Sequence, residues 1–600
     1  MPVKRRKFLV SDEEICQVLF ADDSDDETGL QLDDEDIGFL ETDIDNGIEE
    51  IDIEHPEKST ASYPPKKRSR PTESHESSHG PVETMGGRGA KTLNWKRFHK
   101  ARRFPSEHSV QYGEVLCIPQ SQASDVTPLQ VFSAVMNFDK LLSDVLVKET
   151  IRYCEQKGSL FTTSDDEMRA FLGMNLIMSY HVLPALRNYW STLPDLGVPY
   201  VSNVMPLHRF EQIRGALHFA NNECQPDRRD PRFDRAYKVR PLITHCNEAF
   251  QAALAPTKRQ SIDEHMIKFK GHNIMKQYIK NKPIRWGFKM WCRCDSETGY
   301  LFQCDMYTGK KPEGMEMGLG ESVVVELTST LEGLGCEFFF DNFFHSPALQ
   351  LQLSERDIKA CGTVRANRKG MPKAFPSDKD MKRGDIASFS ADGICCVKWM
   401  DNRAVLMLSN FISPVETVTV QRRCAGTKEK KVDVRCPLVV SEYNKGMGEV
   451  DLMDQKKVTY EVDRRSRIKY YLRVFFDLLD IGVNNGYIVY CKIQSENPSL
   501  SPLTSLEFRQ AVARSLIGNF SGRHRSTASI VQTQKRSQVL TRPAPTCHQM
   551  AKASARKRCV NCAKSRVENR TMNCCTTCDV RLCFTTTRNC FIEFHNGGKH

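Results

Sequence analysis

Apolar positions first take on a regular period near residue 128, where Leu129, Phe132, Val135, Met136 and Phe138 recur at helical spacing and are followed by Leu141, Leu142, Val145 and Leu146. The helical texture continues through Glu167-Met168-Arg169-Ala170-Phe171-Leu172-Gly173-Met174 and His208-Arg209-Phe210-Glu211-Gln212-Ile213-Arg214 to Leu254. After Lys258 the texture changes. Ser261-Ile262-Asp263 and the stretches from Gly287 to Cys294 and from Tyr300 to Tyr307 are short and rich in aromatic or branched residues, with Asp295-Ser296-Glu297-Thr298-Gly299 as the turn between the last two. This predicts a strand meander. Glu321 to Leu334 has helical period and stops at Gly335, and Cys336 to Phe340 reads as a buried strand. Strands followed by a helix and a further strand predict an α/β or α+β core.

Residues 1–57 show neither period, and their acids are interleaved with short apolar groups, so the segment is expected to be disordered. Charge sharpens that division. The chain of 600 residues has a net charge of +10, yet residues 1–57 carry four bases and 20 acids, a net of −16, leaving +26 for the remainder. A body of that sign is expected to meet a polyanion. Pro64-Pro65-Lys66-Lys67-Arg68-Ser69-Arg70-Pro71 resembles a nuclear import signal in a Pro/Ser/Gly-rich linker. Residues 508–567 hold 13 Lys/Arg and no Asp or Glu, the composition of a basic linker attracted to DNA. The N-terminal stretch lacks the apolar core of a signal peptide, so the 23 cysteines are expected in a reducing compartment, and no apolar run approaches the ~20 residues of a membrane span.

Chemistry concentrates at carboxylates and cysteines. Asp263 and Asp341 are placed at strand ends by the pattern, Asp341 directly after three phenylalanines, where a charge needs a partner or a metal. In YNKGMGEVDLMDQ, Asp451 and Asp454 share a face if the segment is helical, and two like charges there call for a cation between them. Hard oxygen ligands on two strands and a helix suit Mg²⁺ or Mn²⁺ in a two-metal site. Arg464, Arg465, Arg467, Lys469 and Arg473 open a long apolar helix as a basic lip suited to phosphates. Cys559, Cys562, Cys575, Cys578, Cys583, Cys590 and His595 form a zinc-type cluster, with Cys574 or His600 as the eighth ligand of a second site.

The blocks SIDEHMIKFKG, YIKNKPIRWGFKMWCRCDSETGY, FFFDNFFHSPAL, CGTVRANRKGMP and YNKGMGEVDLMDQ, in this order, resemble those of the piggyBac transposase family from about residue 125 onward. The resemblance implies an RNase H-like catalytic core whose catalytic carboxylates are Asp263, Asp341 and Asp451, these three holding Mg²⁺, with Asp454 as the further aspartate of that motif. It implies a disordered acidic tail and linker at 1–115, a helical dimerisation and DNA-binding domain at 116–257 and 457–535, and the core at 258–366 and 436–456. A β-rich insertion domain follows at 367–435, a basic linker at 536–554 and a small zinc-finger domain of cross-brace type at 555–600. The implied activity is cut-and-paste transposition of double-stranded DNA between terminal inverted repeats and TTAA targets, by a nuclear homodimer without a membrane anchor. A piggyBac-derived DNA- or chromatin-binding protein that no longer cuts is the alternative. A zinc-finger ubiquitin ligase would explain the cysteines and leave the carboxylates unexplained.

Overall fold

The computed structural model describes residues 93–97, 111–119, 125–280, 282–309, 317–423, 431–462, 468–495, 502–522, 548–565, 567–585 and 588–595. The acidic tail at 1–57 and the basic cluster at 64–71 lie outside the described residues. Two compact units make up the chain, 1–522 and 523–600.

The first unit begins with helices. Helix α1 (Pro128–Met136) starts where the periodicity predicts, because Pro128 is preset for a first turn and Thr127 and Gln130 form a reciprocal capping box. Helix α2 (Asp165–Tyr180) is capped by Ser164, with three acids in the first turn complementing the exposed N–H groups. Helix α3 (Arg240–Ala253) leads into the sheet. Helices α1 and α3 pack against α8 (Tyr470–Ser495), which is buried along nearly its whole length. The approach of α1 to α8 depends on Gly482, where an added Cβ would lie 2.1 Å from Met136 Sδ.

Nine strands form one mixed sheet: β1 (Arg259–Lys268), β2 (Gln277–Tyr278), β3 (Trp286–Asp295), β4 (Leu301–Met306), β5 (Glu337–Phe340), β6 (Lys359–Thr363), β7 (Ile386–Ala391), β8 (Ile394–Met400) and β9 (Ala404–Ser409). Central β1 runs antiparallel to β3, which pairs with β4, and parallel to β5, which is parallel to β6. The meander turn is tight because Asp295 Oδ2 accepts from Thr298 N and Gly299 adopts φ +73°. The α/β core read from the pattern is therefore present. One helix boundary differs: α4 is Leu319–Thr328 and passes into a short 3-10 turn, Ser329–Leu331, instead of running to residue 334.

Side-chain alternation along β1 divides the molecule into layers. Ile262 faces Trp291, Phe338 and Phe340 in a core closed by α4 and α5 (Pro347–Glu355). Ser261, Asp263 and His265 alternate onto the opposite face. That face is covered by α6 (Leu438–Gly446), α7 (Glu449–Val458) and α8. The stretch 367–435 is β-rich as expected, but the sheet itself joins it to the core. β9 hydrogen-bonds to β6 and carries β8 and β7 outward, while β10 (Thr417–Arg423) and β11 (Lys431–Pro437) form a separate pair. Among the described residues no helix is long and apolar enough to cross a membrane.

The second unit is small. β12 (Met550–Arg558), β13 (Arg570–Cys575) and β14 (Val580–Arg581) form a three-stranded sheet, with short helices α9 (Val560–Lys564) and α10 (Cys590–His595). Its interior is largely cysteine: Cys559, Cys562, Cys575, Cys583 and Cys590 are buried with Leu582.

Candidate active site and metal centre

The parallel ladder between β1 and β5 ends at Ile262 and Phe340, so the next residues along each strand, Asp263 and Asp341, stand side by side. Asp341 directly follows its strand, as the pattern predicts. Asp263 does not end one. Its strand continues to Lys268 because the antiparallel pairing with β3 outlasts the parallel pairing with β5. A strand end is defined against a neighbour, and β1 has two neighbours of different length.

Helix α7 brings the third group over this face. Asp451 and Asp454 are both helical, as the spacing requires, but they take different cations. Asp451 is more than half exposed and pairs with Lys282 Nζ at 3.5 Å. Asp454 is ion-paired at 2.5 Å with Nδ1 of buried His265, whose Nε2 lies 2.8 Å from Asp477 Oδ2. Asp477 in turn binds buried Lys457 of α7. Burial opposes a charge on His265, yet Asp454 and Asp477 outweigh it and lift its pKa to about 9. Burial equally opposes Asp477, and the cations beside it bring its pKa down to about 2. This chain of alternating charges ties α7 and α8 to β1.

Around Asp263 the electrostatics are strained. Burial pushes its carboxyl well above the usual range and the charge of Glu264 adds to this, while Lys282 pulls it back. Glu264 moves the other way: burial resists its charge, but Asp263 as hydrogen-bond partner and the ammonium groups of Lys289 and Lys282 lower its pKa. Burial also raises Asp341, against the hydrogen bond it accepts from Phe343 N at 2.8 Å. Buried Lys289 is lowered by desolvation, which the carboxylates of Glu264, Asp263 and Asp341 oppose, and it lies over the rings of Trp291 and Phe343 at 4.1 and 4.8 Å. Glu264, Lys282 and Lys289 were not among the residues expected from the sequence. The acid adjoining Asp263 and the basic turn at 280–285 were their only signals.

The residues fit a divalent cation by donor chemistry. Two neighbouring carboxyls are disfavoured as anions by burial, and positive charge at that point would restore them. Their oxygens together with Asp451 do not converge within 4.8 Å as a ligand set does, and Lys282 stands among them.

The second unit differs in this respect. Cys559, Cys562, Cys583 and Cys590 form one group whose ligand atoms all lie within 4.8 Å of one another, and His548, Cys575, Cys578 and His595 form a second. Sulfur separations of 3.3–3.5 Å in the first group are close to the ~3.8 Å of a tetrahedral zinc thiolate site. In the second, His548 Nδ1 lies 3.5 and 3.3 Å from the sulfurs of Cys575 and Cys578, and His595 Nε2 lies 3.5 Å from Cys578. His595 donates from Nδ1 to Phe591 O at 2.7 Å, which leaves Nε2 as the ligand atom. Burial works against the Cys559 thiolate, but backbone N–H groups of Cys562 and Cys583 bring its pKa to about 7. The groups interleave along the chain, a cross-brace.

The eighth residue is His548. Cys574 belongs to neither group: in strand β13 it alternates with Cys575, and its Sγ–H reaches Ala551 O instead. His600 lies outside the described residues. The signal for His548 was the odd ligand count, read only toward the C-terminus when the missing residue lay 11 positions before Cys559.

Of the basic lip, Arg473 is half-buried, and desolvation lowers its pKa to about 10 against the nearby charge of Glu461. Lys469 lies over the rings of Tyr153 and Tyr471 at 5.5 and 5.6 Å. The first two turns of α8 pack into the helical core through Tyr470, Tyr471, Leu472, Val474, Phe475 and Phe476, while Lys469 and Arg473 stay partly exposed at its margin. Arg464, Arg465 and Arg467 lie outside the described residues.

Comparison with known proteins gives this arrangement a context. The family model described as Transposase IS4 matches residues 127–487. The human PiggyBac transposable element-derived protein 2 is 32% identical over 381 residues, 62% of this chain and 62% of that protein, so the chain spans less than two thirds of that relative. The human PiggyBac transposable element-derived protein 3 is 29% identical over 479 residues, 78% of this chain and 76% of that protein. Among solved structures, the cryo-EM structure of the piggyBac transposase synaptic complex with hairpin DNA superposes with a TM-score of 0.57 at 21% identity, covering 78% of this chain and 96% of that one. Its fold is shared.

Proposed function

The chain belongs to the IS4 transposase family, in its piggyBac branch, and from that premise we propose that it cuts and rejoins DNA at Asp263, Asp341 and Asp451. One observation carries the reading: Asp263 and Asp341 are neighbours at the end of a parallel ladder, on the face that α7 covers with Asp451 and Asp454. The three aspartates would hold Mg²⁺ or Mn²⁺, which supplies charge stabilisation to a phosphoryl group under in-line attack. The rest is positioning by the chain itself. His265, Asp454, Asp477 and Lys457 fix α7 against β1, and Asp451, on the same helix, pairs with Lys282, whose charge also acts on Asp263. Lys282 and Lys289 neutralise the carboxylates in the free protein and are placed to meet backbone phosphates when DNA enters.

The proposed course is hydrolytic nicking of a phosphodiester at a transposon end, attack of the freed 3′-OH on the opposite strand to form a hairpin, opening of that hairpin, and attack of the 3′-OH on target DNA at TTAA, by a homodimer acting in the nucleus. Residues 548–595 would hold two Zn²⁺ and read the terminal repeats. Incubation of the full chain with the repeats flanking its gene and Mg²⁺ should yield nicks and hairpins at the repeat ends, and Asp341→Ala should yield none. Repeat binding without cleavage by the wild-type protein would instead support a DNA-binding protein that no longer cuts, a reading favoured by the names of its relatives, which are transposable element-derived proteins.

A further inference from the structure

Strands β2 and β3 form a hairpin at one end of the nine-stranded sheet, and its outer pair is aromatic. Tyr278 lies directly opposite Trp286 in the register, the ring centroids 4.7 Å apart and tilted by 42°. Both are about half exposed, at 47% and 48%. Burial normally claims residues of this size, so an exposed pair held in register by a backbone ladder is a surface in search of a flat apolar partner. The surroundings specify its charge. Lys276 Nζ lies 4.8 Å from the Trp286 ring and donates to Gly271 O, and Lys280 and Arg285 are exposed on either side of the turn. Residues 268–285 hold six Lys or Arg and no Asp or Glu. Flat π-faces among cations match a polyanion that offers bases, and the bases must be unpaired because those of a duplex already stack on one another.

Position links the pair to the carboxylates. The hairpin turn returns Lys282 Nζ to within 3.5 Å of Asp451 Oδ1, and Phe269 N, just past the end of β1 and six residues from Asp263, donates to Trp286 O. That is about 20 Å of strand at ~3.3 Å per residue, or roughly six base steps at 3.4 Å each. We propose that Tyr278 and Trp286 form a stacking platform for unpaired bases of a DNA strand running away from the carboxylate site. This rests on the DNA-processing reading above and adds to it a subsite for single-stranded DNA.

The test uses the full chain and two labelled probes, a 15-nucleotide dT strand and a blunt 15-base-pair duplex, titrated by fluorescence anisotropy. Tyr278→Ala with Trp286→Ala should weaken dT binding about tenfold to a hundredfold and duplex binding less than about threefold, and Trp286→Phe should retain dT binding within about threefold. If the double variant loses thermal stability, the single variants Tyr278→Leu and Trp286→Leu replace it, each expected to lose about five- to tenfold on dT alone. Unchanged dT affinity, equal loss on both probes, or aromatic-dependent binding to anionic vesicles in place of dT would overturn the platform. Failure of the wild-type chain to bind either probe would overturn the DNA-processing reading together with it. Selective dT loss in a protein that never cleaves repeat DNA would refute the cutting activity and leave the platform standing.

Discussion

The two metal-type sites of this chain are built in opposite ways. In the second unit, eight soft donors from a 48-residue stretch converge into two groups, with every ligand atom inside 4.8 Å of its partners. In the first, hard donors separated by up to 188 positions are brought to one face of a sheet, and there they remain spread and are balanced by Lys282, Lys289 and His265. Soft donors on short loops give a small unit most of its interior, because so few apolar residues are available. Carboxylates in a large core cannot converge without a compensating cation, because burial and mutual repulsion penalise their charges. The local site is thus a scaffold, while the long-range site belongs to a scaffold that other residues stabilise.

The largest effect expected from this contrast follows removal of Asp341. Asp341→Ala should lower strand cleavage by about a thousandfold or more while leaving the melting temperature within a few degrees, because burial opposes the Asp341 charge and the Phe343 N–H and the charge of Lys289 offset that only in part. A comparable fall in stability would place Asp341 in the framework. Next in size is chelation of zinc, which should unfold residues 548–595 and leave the protection of amides in β1 and β5 unchanged, as followed by hydrogen exchange. His548→Ala should leave one zinc per chain by mass spectrometry under native conditions where the wild type holds two; two in both would sink its assignment.

The framework beneath the carboxylates should respond to acid. Asp477 has a pKa of about 2 in the folded chain, below its unfolded value of about 3.9. Its stabilisation is therefore present above pH ~4 and lost as pH falls from about 4 to 2, by about 2 kcal/mol. Asp477→Asn should remove that acid slope and cost about 3 kcal/mol or more at neutral pH, since Lys457 and His265 would lose their shared anion in the interior. Denaturant titrations across that pH range would show it, and an unchanged slope would exclude Asp477 as its origin. The smallest effect is expected at Lys282. Lys282→Gln removes the cation nearest Asp451, so the Mg²⁺ concentration for half-maximal cleavage should fall by about two- to fivefold. A rise would show that Lys282 supports the ion's site and does not compete with it.

Much of this was legible in the chain. Phe338, Phe339 and Phe340 announce a buried strand with Asp341 at its end, and the Cys-x-x-Cys pairs announce soft-metal sites, because a short-range pattern has a short-range cause. Asp263 was legible as a candidate beside Asp341 but not as a mid-strand residue, since where its two ladders stop depends on β3 and β5. The ligand His548 was missed because it lies on the far side of β12 from the cysteines it joins.

The sequence by itself determined the alternation of elements, the opposite net charge of residues 1–57 and the remainder, and seven of the eight residues of the two Cys/His groups. These follow from periodicity, charge and spacing, which act between residues close along the chain. The tertiary structure alone decided that Asp263 and Asp341 stand side by side, that Asp454 is bound to His265 while Asp451 is bound to Lys282, and that β6 and β9 extend the core sheet into the insertion. It also decided that Tyr278 and Trp286 stand exposed as a pair at the basic edge of the sheet. Each of these is a matter of strand register or of which helix covers which face, and the packing of segments far apart in sequence settles both.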